Sequence, residues 1–347
     1  MNSTKLFSDL KLLQKIGSGH FGEVYLGQDH VLGRVAVKVL RKTSQETEAE
    51  WRARKSGLLQ EGRHLKSAEH ERVVRVFQVL ESDTEDAIHM VMEFCGNGSL
   101  QSKFEQGPLE LAELRDILTD AALGLQTVHS RGMLHRDIKP ANLLIDENGH
   151  AKLADFGLVT DNLLLGYASA VGYSDHLAKE VFEDGLTSIK SDIWAFGMTA
   201  YRLLHGLAFY SELPQPRHLI ERGRYALKLP WLPHIPDRWR RFIRQAMHDD
   251  PSCRLQNSFE ILQALEKLPI EPNWKCTYSQ LQTIWTRTRG DRKIEVVCLK
   301  HSPRRYEWKA QSLPLNNGKK RNLGGSNGCV GKTKTMRQLD DFFQNQS

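Results

Sequence analysis

The sequence has little cysteine and no long apolar run. Its 347 residues include five cysteines, an odd number that is scattered and never spaced as C-x-x-C. Neither a disulfide framework nor a zinc-binding motif is therefore indicated, and a reducing compartment is predicted. No apolar stretch reaches the roughly 18 residues that span a bilayer, and residues 1–10 lack the apolar core of a signal peptide. These absences predict a soluble, cytoplasmic protein with no membrane partner.

Positive charge is concentrated at one end of the chain. The whole sequence has 48 Lys and Arg against 42 Asp and Glu, a net charge of +6. Residues 271–347 hold 15 and 6 of these, a net charge of +9, which leaves 33 and 36, or −3, for residues 1–270. This asymmetry predicts a domain boundary near residues 269–272 and a small basic C-terminal module, residues 273–347. Its charge favours an acidic protein or nucleic acid as partner.

Reactive side chains are densest between residues 135 and 157. The run HRDIKPAN occupies residues 135–142, and DFG follows at residues 155–157. Asp137 is a candidate acceptor for the proton of an attacking hydroxyl, and Lys139 is a candidate for neutralising a leaving phosphoryl group. Asn142 and Asp155 offer the oxygen ligands that Mg²⁺ prefers. An Asn five residues after the Asp of H-R-D, followed by D-F-G, is a highly specific pattern.

This stretch closely resembles the catalytic loop of the eukaryotic-type protein kinases, and Lys139 followed by Pro140 resembles their serine/threonine branch. The resemblance implies an α+β, bilobal protein-kinase fold over residues 10–268. A β-rich N-lobe would cover residues 10–94, and a helical C-lobe would cover residues 98–268. It also implies that the chain transfers the γ-phosphoryl group of ATP, with Mg²⁺, to Ser or Thr hydroxyls of a protein substrate.

A second motif, G-x-G-x-x-G, lies at residues 17–22. Dinucleotide-binding folds share it, but there a helix follows, whereas residues 23–27 and 34–40 have the β-branched composition of two strands. A hairpin over ATP is therefore favoured. The resemblance implies ATP contacts from nine residues of this segment: Ile16, Gly17, Ser18, Gly19, His20, Phe21, Gly22, Glu23 and Val24.

Lys38 ends the run VAVK, which resembles the third strand of a kinase. The resemblance implies that Lys38 binds the α- and β-phosphates and pairs with a carboxylate on the next helix, over residues 46–65. Glu61 is favoured for that partner and Glu50 is the alternative. Residues 91–100 resemble the hinge between the lobes. The adenine pocket implied by this likeness is formed by Ala36, Met92, Glu93 and Cys95.

Several other residues are predicted to support the site. Apolar residues at three- and four-residue spacing predict a helix over residues 111–128, and His129 and His135 are interpreted as structural. Asp192 is expected to cap the catalytic loop, and Glu180 to pair with Arg254.

The residue between Ala178 and Glu180 is Lys179, where the family has Pro. Residues 155–180 form the activation segment implied by the resemblance, with Thr160 or Ser169 as expected autophosphorylation sites.

The C-terminal module resembles no family that we recognise. Strands are predicted at residues 293–299 and 304–310, with a basic, mobile loop over residues 316–334 and a short amphipathic helix over 336–343. Trp274, Trp285 and Trp308 indicate a packed core. We therefore expect a folded accessory module that recruits a partner. The alternative reading is a pseudokinase or docking protein, for which Lys179 is the one supporting residue.

Overall fold

The structure is a computed structural model that describes residues 10–19, 22–67, 69–82, 85–155, 176–185, 187–214 and 216–346. Four residues with a predicted role in ATP binding or autophosphorylation lie outside these ranges: His20, Phe21, Thr160 and Ser169. Glu61 is placed within the first helix, but its side chain is outside the description as well. The roles expected of these residues therefore stay predictions.

Five antiparallel strands and one helix form the N-lobe. The sheet order is β1-β2-β3-β5-β4. The elements are β1 (Lys11–Gly19), β2 (Gly22–Asp29), β3 (Gly33–Arg41), α1 (Glu48–Ser67), β4 (Val76–Glu81) and β5 (Ala87–Glu93). Successive residues of the central strand β3 pack on opposite faces: Val35 and Val37 join one apolar cluster, while Ala36 and Leu40 join another that contains Trp51 of α1. Burial on both faces explains the nearly continuous apolar run around Lys38.

The C-lobe is mostly helical. Its elements are α2 (Leu100–Gln106), α3 (Leu111–Ser130), β6 (Leu143–Ile145), β7 (Ala151–Leu153), α4 (Lys179–Asp184), α5 (Ile189–Tyr210), α6 (Pro216–Glu221), α7 (Tyr225–Lys228), α8 (Asp237–Ala246) and α9 (Ser258–Glu266). The apolar stripe predicted for α3 is buried from Leu111 to Val128, so the helix is confirmed. Every residue of α5 from Ser191 to Gly206 is buried, because the other helices pack around it.

The C-terminal module forms a second antiparallel sheet, in the order β12-β11-β10-β9-β8, together with a helix. The elements are β8 (Lys275–Tyr278), β9 (Gln282–Arg289), β10 (Arg292–Ser302), β11 (Arg305–Pro314), β12 (Arg321–Gly325) and α10 (Lys332–Gln344). The two predicted strands are present as β10 and β11, each longer than expected. β8 and β9 were not predicted, because their alternation is short and interrupted by polar residues.

The prediction of an irregular loop over residues 316–334 is wrong in part, since β12 and the start of α10 lie within it. Two glycines of β12 pack closely against Trp308 of β11. A β-carbon on Gly324 would lie 3.4 Å from the Trp308 ring, and one on Gly325 would lie 2.8 Å from the Trp308 carbonyl oxygen. The glycines therefore let β12 approach β11 closely, where their composition had indicated mobility.

One apolar cluster runs from the C-lobe into the C-terminal module. Trp285 of β9 donates a hydrogen bond from Nε1 to His234 Nδ1 at 2.9 Å, and both side chains are buried. Phe343 of α10 meets the ring of the same His234 edge to face, with centroids 6.1 Å apart. At the rim, the Asp340 carboxylate lies 2.7 Å from the guanidinium of Arg240. The module therefore packs against the C-lobe, while the predicted domain boundaries themselves stay a prediction.

Among the helices of the described ranges, none has both the length and the apolar character needed to cross a bilayer.

Candidate active site

The cleft between the lobes contains the lysine of β3. The Lys38 side chain is only 4% exposed, and its Nζ lies 2.9 Å from Asp155 Oδ1. Its observed partner is therefore the aspartate of the D-F-G run. The alternative partner, Glu50, instead accepts hydrogen bonds from the backbone and hydroxyl of Thr47 at the start of α1, both at 2.8 Å. The described contacts of Glu50 are those of a helix-capping residue.

Asp137, Lys139 and Asn142 converge on one carboxylate. Asn142 Nδ2 donates to Asp137 Oδ2 at 2.7 Å and to the Asp137 carbonyl oxygen at 2.8 Å. Lys139 Nζ lies 2.8 Å from the same Oδ2. The short helical turn Pro140–Asn142 folds the chain back, so that residues two and five positions after Asp137 reach its side chain. The carboxylate orientation is thus fixed by two donors.

The other oxygen of this carboxylate faces a residue that the sequence did not single out. His176 Nε2 lies 3.1 Å from Asp137 Oδ1, and the two side chains are 2% and 5% exposed. Burial alone would raise the pKa of Asp137, but the adjacent His176 imidazole and the Lys139 ammonium hold that pKa well below its usual range. Asp137 is therefore ionised throughout the neutral range.

Asp192 fixes the backbone that carries these side chains. Its carboxylate is buried and accepts from the backbone N–H groups of His135 and Arg136, each at 2.8 Å. His129 Nε2 approaches the same carboxylate at 2.8 Å. Arg136 has a positive φ of 68°, so these bonds hold a strained backbone in place. The predicted contact of Asp192 with the catalytic loop is thus present.

His135 is buried behind the loop. Its Nδ1 accepts from the Asp137 backbone N–H at 3.3 Å. Burial lowers the pKa of His135, against the opposing charges of Asp192 and Asp137. A neutral imidazole that accepts a backbone hydrogen bond braces the loop, in agreement with its interpretation as a structural residue.

Two predicted magnesium ligands are neighbours in space. The hairpin of β6 and β7 places Ala154 N–H 2.9 Å from the Asn142 carbonyl oxygen, next to Asp155. Because Asn142 Nδ2 donates to Asp137, the amide oxygen is left as the metal-binding atom. Asp155 adds a carboxylate and has a positive φ of 58°. Amide and carboxylate oxygens suit a hard cation, so the residues present fit Mg²⁺.

Three of the four residues predicted to form the adenine pocket belong to one apolar cluster. Ala36 on β3 is paired with Met92 on β5, and both join one buried cluster with Cys95, against which Val24 packs. Burial raises the pKa of the Cys95 thiol to about 12, so Cys95 stays neutral. Glu93 at the hinge accepts from Lys152 Nζ of β7 at 2.5 Å. This contact links the hinge to the C-lobe, and no sequence motif indicated it.

The two strands predicted after the glycines are present as β2 and β3, which pair antiparallel. β1 and β2 form a further hairpin, and the described glycine-rich residues lie at its closed end. Gly22 has a φ of 127°, and a β-carbon there would lie 2.5 Å from the Val39 carbonyl oxygen, so glycine is required. The Glu23 side chain, at the start of β2, is about one-third exposed. Hydrogen bonds from Lys15 and Tyr25 lower its pKa. Ile16, Gly17, Ser18 and Gly19 lie on β1 across from β2.

Below the cleft, Glu180 and Arg254 form a bidentate ion pair. Their two N···O distances are 2.6 and 2.8 Å, and the Arg254 side chain is fully buried. The pairing expected from the sequence is therefore present. The neighbouring Lys179 contacts Glu183 on the same helix at 3.1 Å. Replacing proline with Lys179 thus leaves the Glu180 contact intact.

A family model for the protein kinase domain matches residues 10–267. The match covers most of the chain and coincides with the two lobes and the cleft described above. The chain therefore belongs to the protein kinase family. Membership implies ATP as the phosphoryl donor and protein as the acceptor. The match ends before the C-terminal module.

Proposed function

We propose that this chain is an active serine/threonine protein kinase that transfers the γ-phosphoryl group of ATP to Ser or Thr hydroxyls. The observation that carries the proposal is the joint arrangement of Lys38, Asp137, Asn142 and Asp155 in one cleft. Phosphoryl transfer depends mainly on positioning and on charge stabilisation, for which these side chains are suited. Lys139, followed by Pro140, supports Ser/Thr over Tyr by its resemblance to that branch.

Each side chain has one task in this proposal. Asp137, held ionised, orients the acceptor hydroxyl and takes its proton. Lys139 stabilises charge on the phosphoryl group during transfer. Lys38 binds the α- and β-phosphates. Val24, Ala36, Met92 and the hinge backbone at Glu93 and Cys95 enclose the adenine, while the glycine-rich hairpin covers the phosphates.

Mg²⁺ held by Asn142 and Asp155 would neutralise charge on the phosphate oxygens. The structure supports this assignment through the freed amide oxygen of Asn142 and the carboxylate of Asp155. Glu61 is proposed as a further partner of Lys38 in the ATP-bound state.

The test is incubation of the full chain with labelled ATP, Mg²⁺ and generic protein substrates, followed by identification of the phosphorylated amino acid. We expect label on Ser or Thr, and none with Asp155→Asn, which removes a charged metal ligand while the protein still folds. Asp116→Asn removes an exposed carboxylate of α3 and serves as the matched control. Full activity of Asp155→Asn would overturn the mechanism. A folded wild type without transfer would favour the docking-protein alternative.

We also propose that the C-terminal module recruits an acidic partner. Its tryptophan-bearing side packs against α10 and, through Trp285, against the C-lobe, whereas a set of cations is exposed to solvent. They are Lys319, Lys320, Arg321, Lys332, Lys334 and Arg337. The net charge of +9 over residues 271–347 favours polyanions, either an acidic protein segment or nucleic acid.

Binding of polyglutamate and of single-stranded nucleic acid to the full chain would test this proposal at several salt concentrations. We expect affinity to fall steeply between about 50 and 200 mM salt. The triple variant Lys319→Glu, Lys320→Glu, Arg321→Glu should lose binding and keep peptide phosphorylation. Equal affinity of wild type and variant for both polyanions would overturn the proposal.

A further inference from the structure

Three metal-ligating side chains meet in the C-terminal module. They come from three separate segments: His301 from β10, Glu307 from β11, and Cys329 from the connection before α10. Their ligand atoms all lie within 4.8 Å of one another. His301 and Glu307 are about half exposed, so solvent and ions reach the cluster. The family resemblance does not extend to this part of the chain.

The backbone explains why the three side chains converge. The β10–β11 register shifts between Lys300 and Ser302, so His301 is the extra residue of a bulge. A bulge redirects the side chain it carries, and His301 Nε2 lies 3.3 Å from Glu307 Oε2. Beside it, Tyr306 and Val330 exchange two backbone hydrogen bonds of 2.8 and 2.7 Å. That bridge holds Cys329 next to β11.

One separation in the cluster matches that of a tetrahedral metal site, and the others lie within 4.8 Å. Zinc bonds of about 2.0–2.3 Å to N, O and S place neighbouring ligand atoms roughly 3.3–3.7 Å apart. The His301–Glu307 separation of 3.3 Å already meets this requirement. The Cys329 side chain is exposed, so rotation about its Cα–Cβ bond can bring the sulfur nearer without displacing the core.

We propose that His301, Glu307 and Cys329 bind one Zn²⁺ ion. A thiolate and an imidazole select zinc over Mg²⁺ or Ca²⁺, which prefer oxygen ligands throughout. Binding releases the thiol proton to solvent, and the two anionic ligands then balance the charge of the ion. Three protein ligands leave the fourth position to water or to a side chain of a partner.

The ion would link the β10–β11 turn to the segment that begins α10. Because α10 carries Phe343 into the interface with the C-lobe, the metal stabilises the packed form of the module. The sequence did not predict this site, because zinc sites are indicated by closely spaced cysteines such as C-x-x-C. These ligands are 6 and 22 residues apart and meet only through the sheet.

The test is a Zn²⁺ titration of the full chain against a chromogenic chelator, comparing wild type with His301→Ala and Cys329→Ser. We expect one ion per chain, with affinity reduced about 100-fold in either variant. Co²⁺ in place of Zn²⁺ should give a thiolate-to-cobalt charge-transfer band that Cys329→Ser abolishes. Cys253→Ser, which changes another exposed cysteine, should retain both signals.

Zinc should also raise the melting temperature of wild type and of Cys253→Ser, but not that of Cys329→Ser. Absence of stoichiometric zinc binding in wild type would overturn the proposal and leave an exposed His301–Glu307 pair. Undiminished zinc affinity in Cys329→Ser would overturn it as well, since the ion would then lie elsewhere.

A second inference concerns the catalytic carboxylate, and it rests on the proposed function. Asp137 Oδ2 is held by Asn142 and Lys139, so Oδ1 is the oxygen that remains for an acceptor hydroxyl. His176 Nε2 lies 3.1 Å from that Oδ1, in a buried position. A general base must approach its proton donor to about 2.6–3.2 Å. The imidazole therefore occupies the place that the hydroxyl needs.

We infer that the His176–Asp137 contact is autoinhibitory, and that a bound protein substrate displaces the imidazole. His176→Ala should raise kcat/KM for a peptide roughly tenfold and leave ATP affinity unchanged. His176→Gln keeps a donor of similar reach and should stay near the wild-type rate. His176→Leu keeps apolar volume without a donor, so it should be activated even where the alanine variant folds poorly.

A residue that only supports the fold would give lower activity in every variant. Unchanged or reduced peptide phosphorylation in both His176→Ala and His176→Leu would overturn this inference and leave the kinase assignment intact. A complete lack of transfer in folded wild type and all variants would overturn the proposed function itself.

Discussion

The catalytic cleft and the interface of the C-lobe with the C-terminal module are both buried, but they are held by opposite kinds of contact. In the cleft, charged groups meet one another: Lys38 lies against Asp155, and Lys139 and His176 flank Asp137. At the interface, aromatic rings dominate, and the central polar contact is the neutral hydrogen bond from Trp285 to His234.

The difference separates a region built for chemistry from one built for stability. Buried charge costs desolvation free energy, and hydrophobic residues of similar volume often stabilise a protein more. The proposed activity accounts for this cost in the cleft, because phosphoryl transfer needs charge. The interface gains from apolar burial of about 25 cal/mol per Å². Substitutions in the cleft should therefore affect rate, and substitutions at the interface should affect the free energy of unfolding.

The largest effect is expected at Asp137. Asp137→Asn removes the proton acceptor while keeping size and hydrogen-bonding capacity, so kcat should fall by roughly 10²–10⁴-fold. The affinity for ATP should stay within a few-fold, and the melting temperature should change little. Steady-state kinetics with an ATP-binding titration would measure both. A variant with normal kcat would place the base elsewhere.

The sequence predicted which side chains of the cleft meet at Asp137, because the motif places particular residue types at fixed short spacing, while their catalytic roles stay predictions. Asp137, Lys139 and Asn142 lie within six residues, and the turn Pro140–Asn142 brings them together locally. His176 could not be predicted, since its contact depends on the path of the chain after Asp155. The same holds for Lys152, which reaches Glu93 at the hinge from a different strand.

At the interface, the largest expected effect is on stability. Trp285 is 1% exposed and touches both Phe343 and His234, so Trp285→Ala should lower the free energy of unfolding by about 3–5 kcal/mol. Trp285→Phe keeps a ring but loses the Nε1 donor, and should cost about 1–3 kcal/mol. Denaturant unfolding would measure these values.

Truncation after residue 272 tests the same interface in one step. Because the module covers apolar C-lobe surface, the shortened chain should melt at lower temperature and aggregate more readily. A truncated chain with unchanged melting temperature and solubility would show that the interface contributes nothing to stability, and would contradict the assigned role of Trp285.

The fold of this second region was predicted only in part. β10 and β11 alternate clearly and were expected. In contrast, Trp285 meets His234 of the C-lobe, and Trp274 meets Phe343 near the end of the chain, so both partners are distant in sequence. Tryptophan content indicated that a core exists but not which surface covers it. Gly324 and Gly325 had suggested mobility, yet they permit close packing against Trp308. Composition alone does not distinguish these two uses of glycine.

Acid should weaken the interface through buried histidine. Burial lowers the pKa of His234 and of His205, each to about 3. Unfolded histidine titrates near pH 6.5, so between about pH 6.5 and 3 the unfolded chain binds protons that the folded chain does not. The free energy of unfolding should then fall by about 1.4 kcal/mol per pH unit for each histidine as pH decreases.

Denaturant unfolding at pH 7, 6 and 5 would measure this slope. His234→Gln should reduce the slope by the share of one histidine, while His218→Gln, at an exposed position, should leave it unchanged. Equal slopes in wild type and His234→Gln would contradict the buried, neutral state of His234.

The smallest change in the free energy of unfolding is expected for an ion pair that is exposed to solvent. Arg217 and Glu221 pair on α6 at 3.1 Å, four residues apart, with both side chains about 40% exposed. Water screens such a pair, so Glu221→Ala should change the free energy of unfolding by no more than about 0.5 kcal/mol. The reference is Glu180→Ala, which leaves the buried Arg254 guanidinium without its carboxylate and should cost about 3–5 kcal/mol. Similar losses in the two variants would mean that burial does not decide the strength of these pairs, and the contrast between buried and exposed charge would fail.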